Sequence, residues 1–397
     1  MRLPSPHDQL LKSIYIPSLL MAISNQGMML VLPLYALHIT GDPAYAALMM
    51  GLRGVGILLL DVPAGVLAAR FGDKGISIGG LACNIGVMLS LAVWSDPWIV
   101  ALLAMAQGGG AAAWFLGRQS YMTDACPPSA WGRAIAVVAG INRGGALLGP
   151  LAGGIVAEWL GYAPTFLAGA SLSAVAAVVM LANAKRVRPA VADGTRLASI
   201  GHTIFAQRRV FATAGLVGLA IQLMRAARQL LVPLFGTLIG LDAATIGVVY
   251  SLSAVLDMAL SYPAGVAMDR LGRRWTGIPC MLVFIVGLCA LPLAHGLYGL
   301  LAAALVLGLG NGLSTGIVMV MGMDLAPADN RNQFLGVWRL IGDVGGVGGP
   351  LLTGLLTGAA SLGLASFAVA GIGAVGVAVF MLLVPETQPA AELGSAD

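Results

Sequence analysis

Charge is what this 397-residue chain has least of: Lys, Arg, Asp and Glu together make up 10% of it, against 58% hydrophobic residues. A soluble domain carries roughly 25% charged residues. This sequence therefore cannot cover a water-facing surface, and with a mean hydropathy of +0.91 most of its exterior must face lipid. Cysteine and histidine are scarce too, at four each. Cys83, Cys126, Cys280 and Cys289 lack metal-ligand spacing and mostly sit in apolar runs, which argues against disulfide or metal roles. The histidines fall in expected loops or near the ends of apolar runs, so no histidine relay is visible. No nucleotide-binding motif and no close His/Asp/Ser or metal-ligand cluster appears, so an enzyme is not expected and neither is a cofactor. Met1–Lys12 is short and polar and leads into a run long enough to span a bilayer, which argues against a cleavable signal peptide.

What the chain does have is apolar runs. They predict helices at 12–36, 46–69, 76–94, 98–122, 134–157, 165–183, 210–238, 244–266, 275–294, 299–323, 335–357 and 363–383. With the N-terminus inside, every loop Lys or Arg falls on the cytoplasmic side, and the opposite loops hold Asp42, Asp96, Glu158, Asp242 and His295. The positive-inside rule then places both termini in the cytoplasm of a multi-pass cell (inner) membrane protein. The net charge of +4 is spread through alternate loops, a pattern that points to the membrane and not to nucleic acid. The longest connection, 184–209, is basic and carries Pro189 and Gly194, and reads as a cytoplasmic linker. It divides the chain into a six-helix bundle at 1–183 and a second at 210–397, the latter ending in a short cytoplasmic tail.

The two halves repeat. Pro63, Ala64, Gly65, Val66, Arg70 and Gly72 recur without a gap as Pro263, Ala264, Gly265, Val266, Arg270 and Gly272. The same 200-residue offset pairs Gly108 and Gly110 with Gly308 and Gly310, and Asp124 and Pro127 with Asp324 and Pro327. It also pairs Gly145, Gly149, Pro150 and Gly154 with Gly345, Gly349, Pro350 and Gly354. A duplicated bundle of membrane helices produces this pattern.

On these residues the chain resembles the major facilitator superfamily over essentially its whole length. The family's loop motif, Gly-x-Leu-Ala-Asp-Arg-x-Gly-Arg-Arg, is nearly intact as Gly265, Asp269, Arg270, Gly272, Arg273 and Arg274. In the first copy Gly65, Arg70, Gly72 and Lys74 remain, while Ala69 replaces the aspartate and Asp73 the first closing basic residue. The resemblance implies that these residues hold the cytoplasmic gate. Gly145, Gly149, Pro150, Gly153 and Gly154 resemble the fifth-helix signature of the drug:proton antiporter branch, where close-packing glycines and a proline bend shape the seam between halves. The family's arginine before a Gln-Gly pair in helix 4 is missing, since Met105 and Ala106 precede Gln107-Gly108. The implied fold is all-α, with twelve transmembrane helices in two pseudo-symmetric six-helix bundles; spans 1, 4, 7 and 10 surround a central cavity and spans 3, 6, 9 and 12 face lipid.

Charges inside spans cost at least about 2.5–3.5 kcal/mol each on insertion scales, so each needs a reason. Arg53, Asp61, Arg143, Arg225, Arg228, Asp257, Arg339 and Asp343 are of this kind, and the four lipid-facing spans hold none. Gln222, Arg225 and Gln229 share one helical face, and Arg225 is the repeat-mate of Asn25. Asn25, Gln26, Gln222, Arg225, Arg228 and Asn311 are the candidate substrate contacts. Asp257, near the middle of its span, best fits a proton carrier, with Asp61 suited to gating and Asp343 paired to Arg339 four residues earlier. Arg53, Arg143 and Arg339 form the remaining buried charge network. Met28, Met29, Met319 and Met321 are further cavity candidates.

Together these features predict a secondary transporter working by alternating access. The resemblance of the loop motif and the fifth-helix signature implies proton-coupled efflux of a small organic compound, and five buried arginines against three buried aspartates point to an amphipathic, anionic or zwitterionic one. The expected partners are that solute, protons driven by their gradient, and the lipid bilayer, with the protein acting as a monomer. An uptake symporter or facilitator for an organic acid or sugar, and a non-transporting membrane sensor or assembly factor, are the other readings.

Overall fold

Peptide groups in a bilayer have no water to bond, so a chain this apolar must satisfy them within helices. The computed structural model describes residues 10–126, 128–184 and 197–386. It contains twelve helices long and apolar enough to cross a membrane: α1 (Leu11–Thr40), α2 (Pro43–Asp61), α3 (Arg70–Leu91), α4 (Pro97–Met122), α5 (Trp131–Leu160), α6 (Tyr162–Asn183), α7 (Arg208–Leu238), α8 (Ala243–Leu271), α9 (Arg273–Leu293), α10 (Gly296–Leu325), α11 (Gln333–Ala359) and α12 (Leu362–Leu383). Residues 185–196 of the expected 184–209 linker lie outside the described residues, and Leu197–Ala206 forms a short helix.

The acidic residues of the loops opposite the basic ones start helices. Asp42 accepts from the Ala44 amide, Asp96 from Trp98 and Ile99, and Asp242 from Thr245, each satisfying an orphan N–H of a first turn. The Thr245 amide holds the Asp242 carboxyl below the usual carboxylate range. Carboxylates sit on that face because α2, α4 and α8 begin there, where the helix dipole favours them.

The expected basic turn at 70–75 is shorter than the sequence pattern implies. Helical backbone runs from Pro43 to Leu91 and is broken only at Gly72, with φ 73° and ψ 162°. Its repeat-mate Gly272, at φ 101° and ψ 167°, separates α8 from α9. Both need a positive φ that a side chain would strain, which is why glycine stands there in both copies.

The repeat is reproduced contact by contact. A Cβ on Gly149 would lie within 3 Å of Ile23 O, Gly27 N and Gln26 Cβ; one on Gly349 would meet Leu223 O, Ala227 N and Ala226 Cβ, the same three positions 200 residues on. Gly108 abuts the Arg53 carbonyl and Gly308 the Ser253 carbonyl. Lys74 Nζ donates to Leu181 O, and Arg274 Nη2 to Met381 O. These glycines let backbones approach where lipid provides no hydrophobic drive for helix association. At Gly56 an added Cβ would sit 1.9 Å from Met105 O, whereas at Gly371 it would meet nothing within 4 Å. Gly56→Val should therefore lower the melting temperature of the detergent-solubilised protein sharply, by the equivalent of about 1–3 kcal/mol or more. Gly371→Val should melt like the parent.

Candidate functional site

Between the bundles lies a cavity of about 320 Å³. Met29, Met50, Arg53, Ile57 and Leu58 line it from the first bundle, and Gln222, Arg225, Gln229, Asn311, Asp343 and Val347 from the second. Two hydrogen-bonded clusters, one per bundle, set its polarity. In the first, Arg53 on α2 donates through Nε to Gln107 Oε1 on α4 and through Nη2 to Asn25 Oδ1 on α1 at 3.0 Å. Gln107 Nε2 also donates to Asn25 Oδ1, at 3.2 Å. In the second, Arg225 on α7 donates to Asn311 Oδ1 on α10 at 2.9 Å and to Gln222 Oε1 at 3.2 Å, and Asn311 Nδ2 donates to Asp257 Oδ2 on α8 at 2.5 Å.

The partners of the two arginines are neutral amides. Arg53 is 5% exposed, and among the described residues neither it nor Arg225 forms a direct ion pair. Asp257 acts on Arg225 through the intervening Asn311. A guanidinium out of water and without a carboxylate against it keeps unspent capacity to bind an anion.

The cavity is sealed toward the loops that carry Asp42, Glu158 and Asp242. There a Cβ on Gly154 would meet Ala243 O at 2.4 Å, and one on Gly247 would meet Pro150 O at 2.6 Å, so α5 and α8 touch backbone to backbone. The Ala243 amide donates to Glu158 Oε2 and Ser251 Oγ to Leu147 O across the same seam. Gly51 and Gly354 close the α2–α11 seam against Leu351 and Ala47. Toward the basic loops one ion pair joins the bundles among the described residues: Arg339 Nη2 lies 3.3 Å from Asp61 Oδ2, and Arg339 Nε lies 3.6 Å from Asp343 Oδ2. The guanidinium also lies 5.7 Å from the Phe115 ring of α4, which Arg118 flanks at 5.2 Å. Among the described residues the buried Asp61 Oδ1 has no hydrogen-bond partner.

A twelve-helix duplicated bundle with a polar cavity between its halves has known counterparts. The profile of the Major Facilitator Superfamily matches residues 14–224 and 215–396. The chain belongs to that superfamily. It is a membrane transporter, not an enzyme. It is 23% identical over 327 residues to the multidrug resistance protein MdtH of Klebsiella pneumoniae (strain 342), covering 79% of each chain. Among solved structures it resembles the nucleoside transporter NupG, with a TM-score of 0.74, 14% identity and coverage of 95% of this chain and 98% of that one. It also resembles a bacterial homologue of the human lysosomal transporter Spinster in an inward-facing and occupied conformation, with a TM-score of 0.75, 14% identity and 96% and 97% coverage.

Within this transporter the sequence-predicted residues separate into groups. Gln222, Arg225 and Asn311 reach the cavity, while Asn25 stands one layer behind, orienting Arg53. Gln26 packs at the α1–α5 crossing beside Gly149. Arg228, expected among the substrate contacts, is not in the cavity wall. It is 4% exposed, donates to Ser253 Oγ at 2.8 Å and stacks 5.4 Å from the Tyr250 ring. Three-residue spacing keeps Arg228 near the Arg225 face, but its guanidinium is taken up by Ser253 and Tyr250 of α8. Arg143 on α5 lies near enough for its charge to act on Arg225. Met29 lines the cavity, but Met28 and Met321 are core and Met319 is 68% exposed.

The loop-motif residues bind within bundles. Lys74 closes the end of α6 through Leu181 O, while Arg273 pairs with Asp324 at 2.8 Å. The Arg273 and Arg274 amides donate to Glu386. In the first copy Asp73 replaces the arginine and lies against Ser120 and Asp124, so the ion pair has no twin there. Arg70 and Arg270 are exposed, Asp269 lies 4.0 Å from Arg273, and of Gly65 only the helical backbone is described. A Cβ on Gly265 would meet nothing within 4 Å among the described residues. Two residues escaped the sequence reading: Gln107, whose one signal was its place before Gly108, and Phe115, an aromatic in an apolar run.

The strut predicts a measurable change of access. Ala226 lines the cavity, so the maleimide labelling rate of Ala226→Cys reports how often the cavity opens to water. Arg339→Ala should raise that rate roughly 1.4- to 5-fold, the range an ion pair of about 0.2–1 kcal/mol allows. Arg274→Ala, which breaks contacts inside one bundle, should leave it unchanged.

Proposed function

We propose that this transporter is a proton-coupled exporter of small organic anions with an apolar body, residing in the inner membrane with its basic loops in the cytoplasm. The observation that carries the reading is the pair Arg53 and Arg225: one from each bundle, facing one cavity, both held by neutral amides. A carboxylate or phosphonate between them would supply the missing negative charge, and Met29, Met50, Ile57 and Leu58 would hold the apolar body. Because the arginines belong to different bundles, such an anion would bind most tightly when the bundles approach. That difference in affinity is what lets a ligand shift alternating access.

Proton coupling is assigned to the strut on a count of charge. Arg339 faces two carboxylates, Asp61 and Asp343, so one negative charge is left uncompensated and one proton restores neutrality. Asp343 lines the cavity, which would give solute and proton a common neighbour. Asp257, the candidate from spacing alone, accepts from Asn311 Nδ2 and is not among the residues lining the cavity. Export is supported by the multidrug name of the relatives and by the fifth-helix glycines.

Proteoliposomes under an imposed pH gradient test the reading with a fluorescent amphipathic carboxylate. Arg225→Ala and Arg53→Ala should each cut its transport about tenfold or more, the equivalent of about 1.4 kcal/mol or more, and Arg225→Lys should retain part of it. Asp343→Asn should let solute exchange without moving protons, whereas Asp257→Asn should keep the coupling. Equal carboxylate transport by parent and both arginine variants would refute the anion assignment. Uptake driven by protons moving with the solute would reverse the direction.

A further inference from the structure

A second cavity, of about 600 Å³, lies away from the seam. Only α2, α3, α4 and the segment between α2 and α3 wall it, and it shares no residue with the central cavity. Leu60, Leu67, Phe71 and Ile76 give it an apolar lining, and Gly75, Gly79 and Gly109 leave its wall without side chains. Phe71, Gly79 and Ala106 are exposed, so it opens on the outer surface of the bundle, which in a membrane transporter is bathed in lipid.

Two of these glycines are not needed for helix packing. A Cβ on Gly79 would meet nothing within 4 Å, and one on Gly109 would have only ordinary contacts, the nearest at 3.6 Å. Gly80 and Gly110, by contrast, press α3 against α4. The other half of the repeat carries Trp275, Pro279 and Leu309 at the positions of Gly75, Gly79 and Gly109. The hollow therefore belongs to one copy, and the duplicated fold does not require it.

One end of the groove is charged. Arg70 begins α3 on the basic-loop side, is exposed, and stands 5.5 Å from the ring of Phe71, which lines the groove. Among the described residues it forms no ion pair. A basic side chain at headgroup depth above an apolar slot matches the two ends of an anionic phospholipid.

We propose that this groove is a binding site for an anionic phospholipid of the leaflet on the basic-loop side, with an acyl chain along Gly75, Gly79 and Gly109 and the phosphate at Arg70. The lipid would brace the bend at Gly72, where α2 passes into α3.

The test is thermal melting of the purified full-length protein in dodecyl maltoside with added dioleoyl phosphatidylglycerol or dioleoyl phosphatidylcholine. Phosphatidylglycerol should raise the melting temperature of the parent more than phosphatidylcholine does. Gly79→Phe and Gly109→Leu, which fill the slot from opposite walls, should each lose that excess, and Arg70→Gln should reduce the phosphatidylglycerol shift to the phosphatidylcholine value. Gly371→Phe, at an equally open glycine on α12, should keep the full excess. If Gly79→Phe does not fold, Gly109→Leu decides. Equal shifts by the two lipids in the parent would overturn the proposal, as would an excess surviving in the slot-filling variants.

Discussion

A cation inside a bilayer must find a counter-charge or another polar or aromatic partner, or be held for a ligand, and this transporter is arranged around that constraint. Arg339 finds carboxylates; Arg118 reaches along α4 toward Asn142 and the Phe115 ring. Arg228 takes a hydroxyl and an aromatic face. Arg53 and Arg225 are given only amides, and both face the space between the bundles. Neutral partners orient a guanidinium without cancelling its charge, so the binding potential of the cavity persists until a solute satisfies it.

Orientation of that kind depends on backbones that do not give. Arg53 is placed by a stretch of α2 that lies against Gly108, and the mate of that crossing, Gly308 on Ser253, sets the α8 hydroxyl that receives Arg228. The repeat thus preserves a crossing while the side chains on it diverge: an arginine on α2 donates to α1 in one half, and an arginine on α7 donates to α8 in the other. Divergence on a preserved frame gives one cavity two unlike walls, which a single asymmetric solute can use.

Much of the frame was legible in the sequence. Twelve apolar runs, the glycine pairs and the loop copies are local or periodic signals, and the overlong connection expected at Gly72 followed from reading a basic stretch as a turn when a single positive-φ residue suffices. Gln222 and Arg225 were legible as one face because helical spacing alone sets it. The partners of Arg53 were not, since Gln107 and Asn25 meet it only where three helices cross. The gating part that family resemblance implies for the loop motif is a different matter. Lys74 and Arg273 spend their charge within their own bundles, and the contact that joins the bundles on that side uses Asp61 and Arg339, residues outside the motif.

The convergence of Arg53 and Arg225 on one solute is the central claim, and its most direct test is a structure with a bound bromoalkyl carboxylate located by anomalous scattering. The account predicts the carboxylate within hydrogen-bond distance of both guanidinium groups, with the bromine among Met29, Met50 and Leu58. A carboxylate bound outside the cavity, or inside it and touching neither arginine, would contradict it.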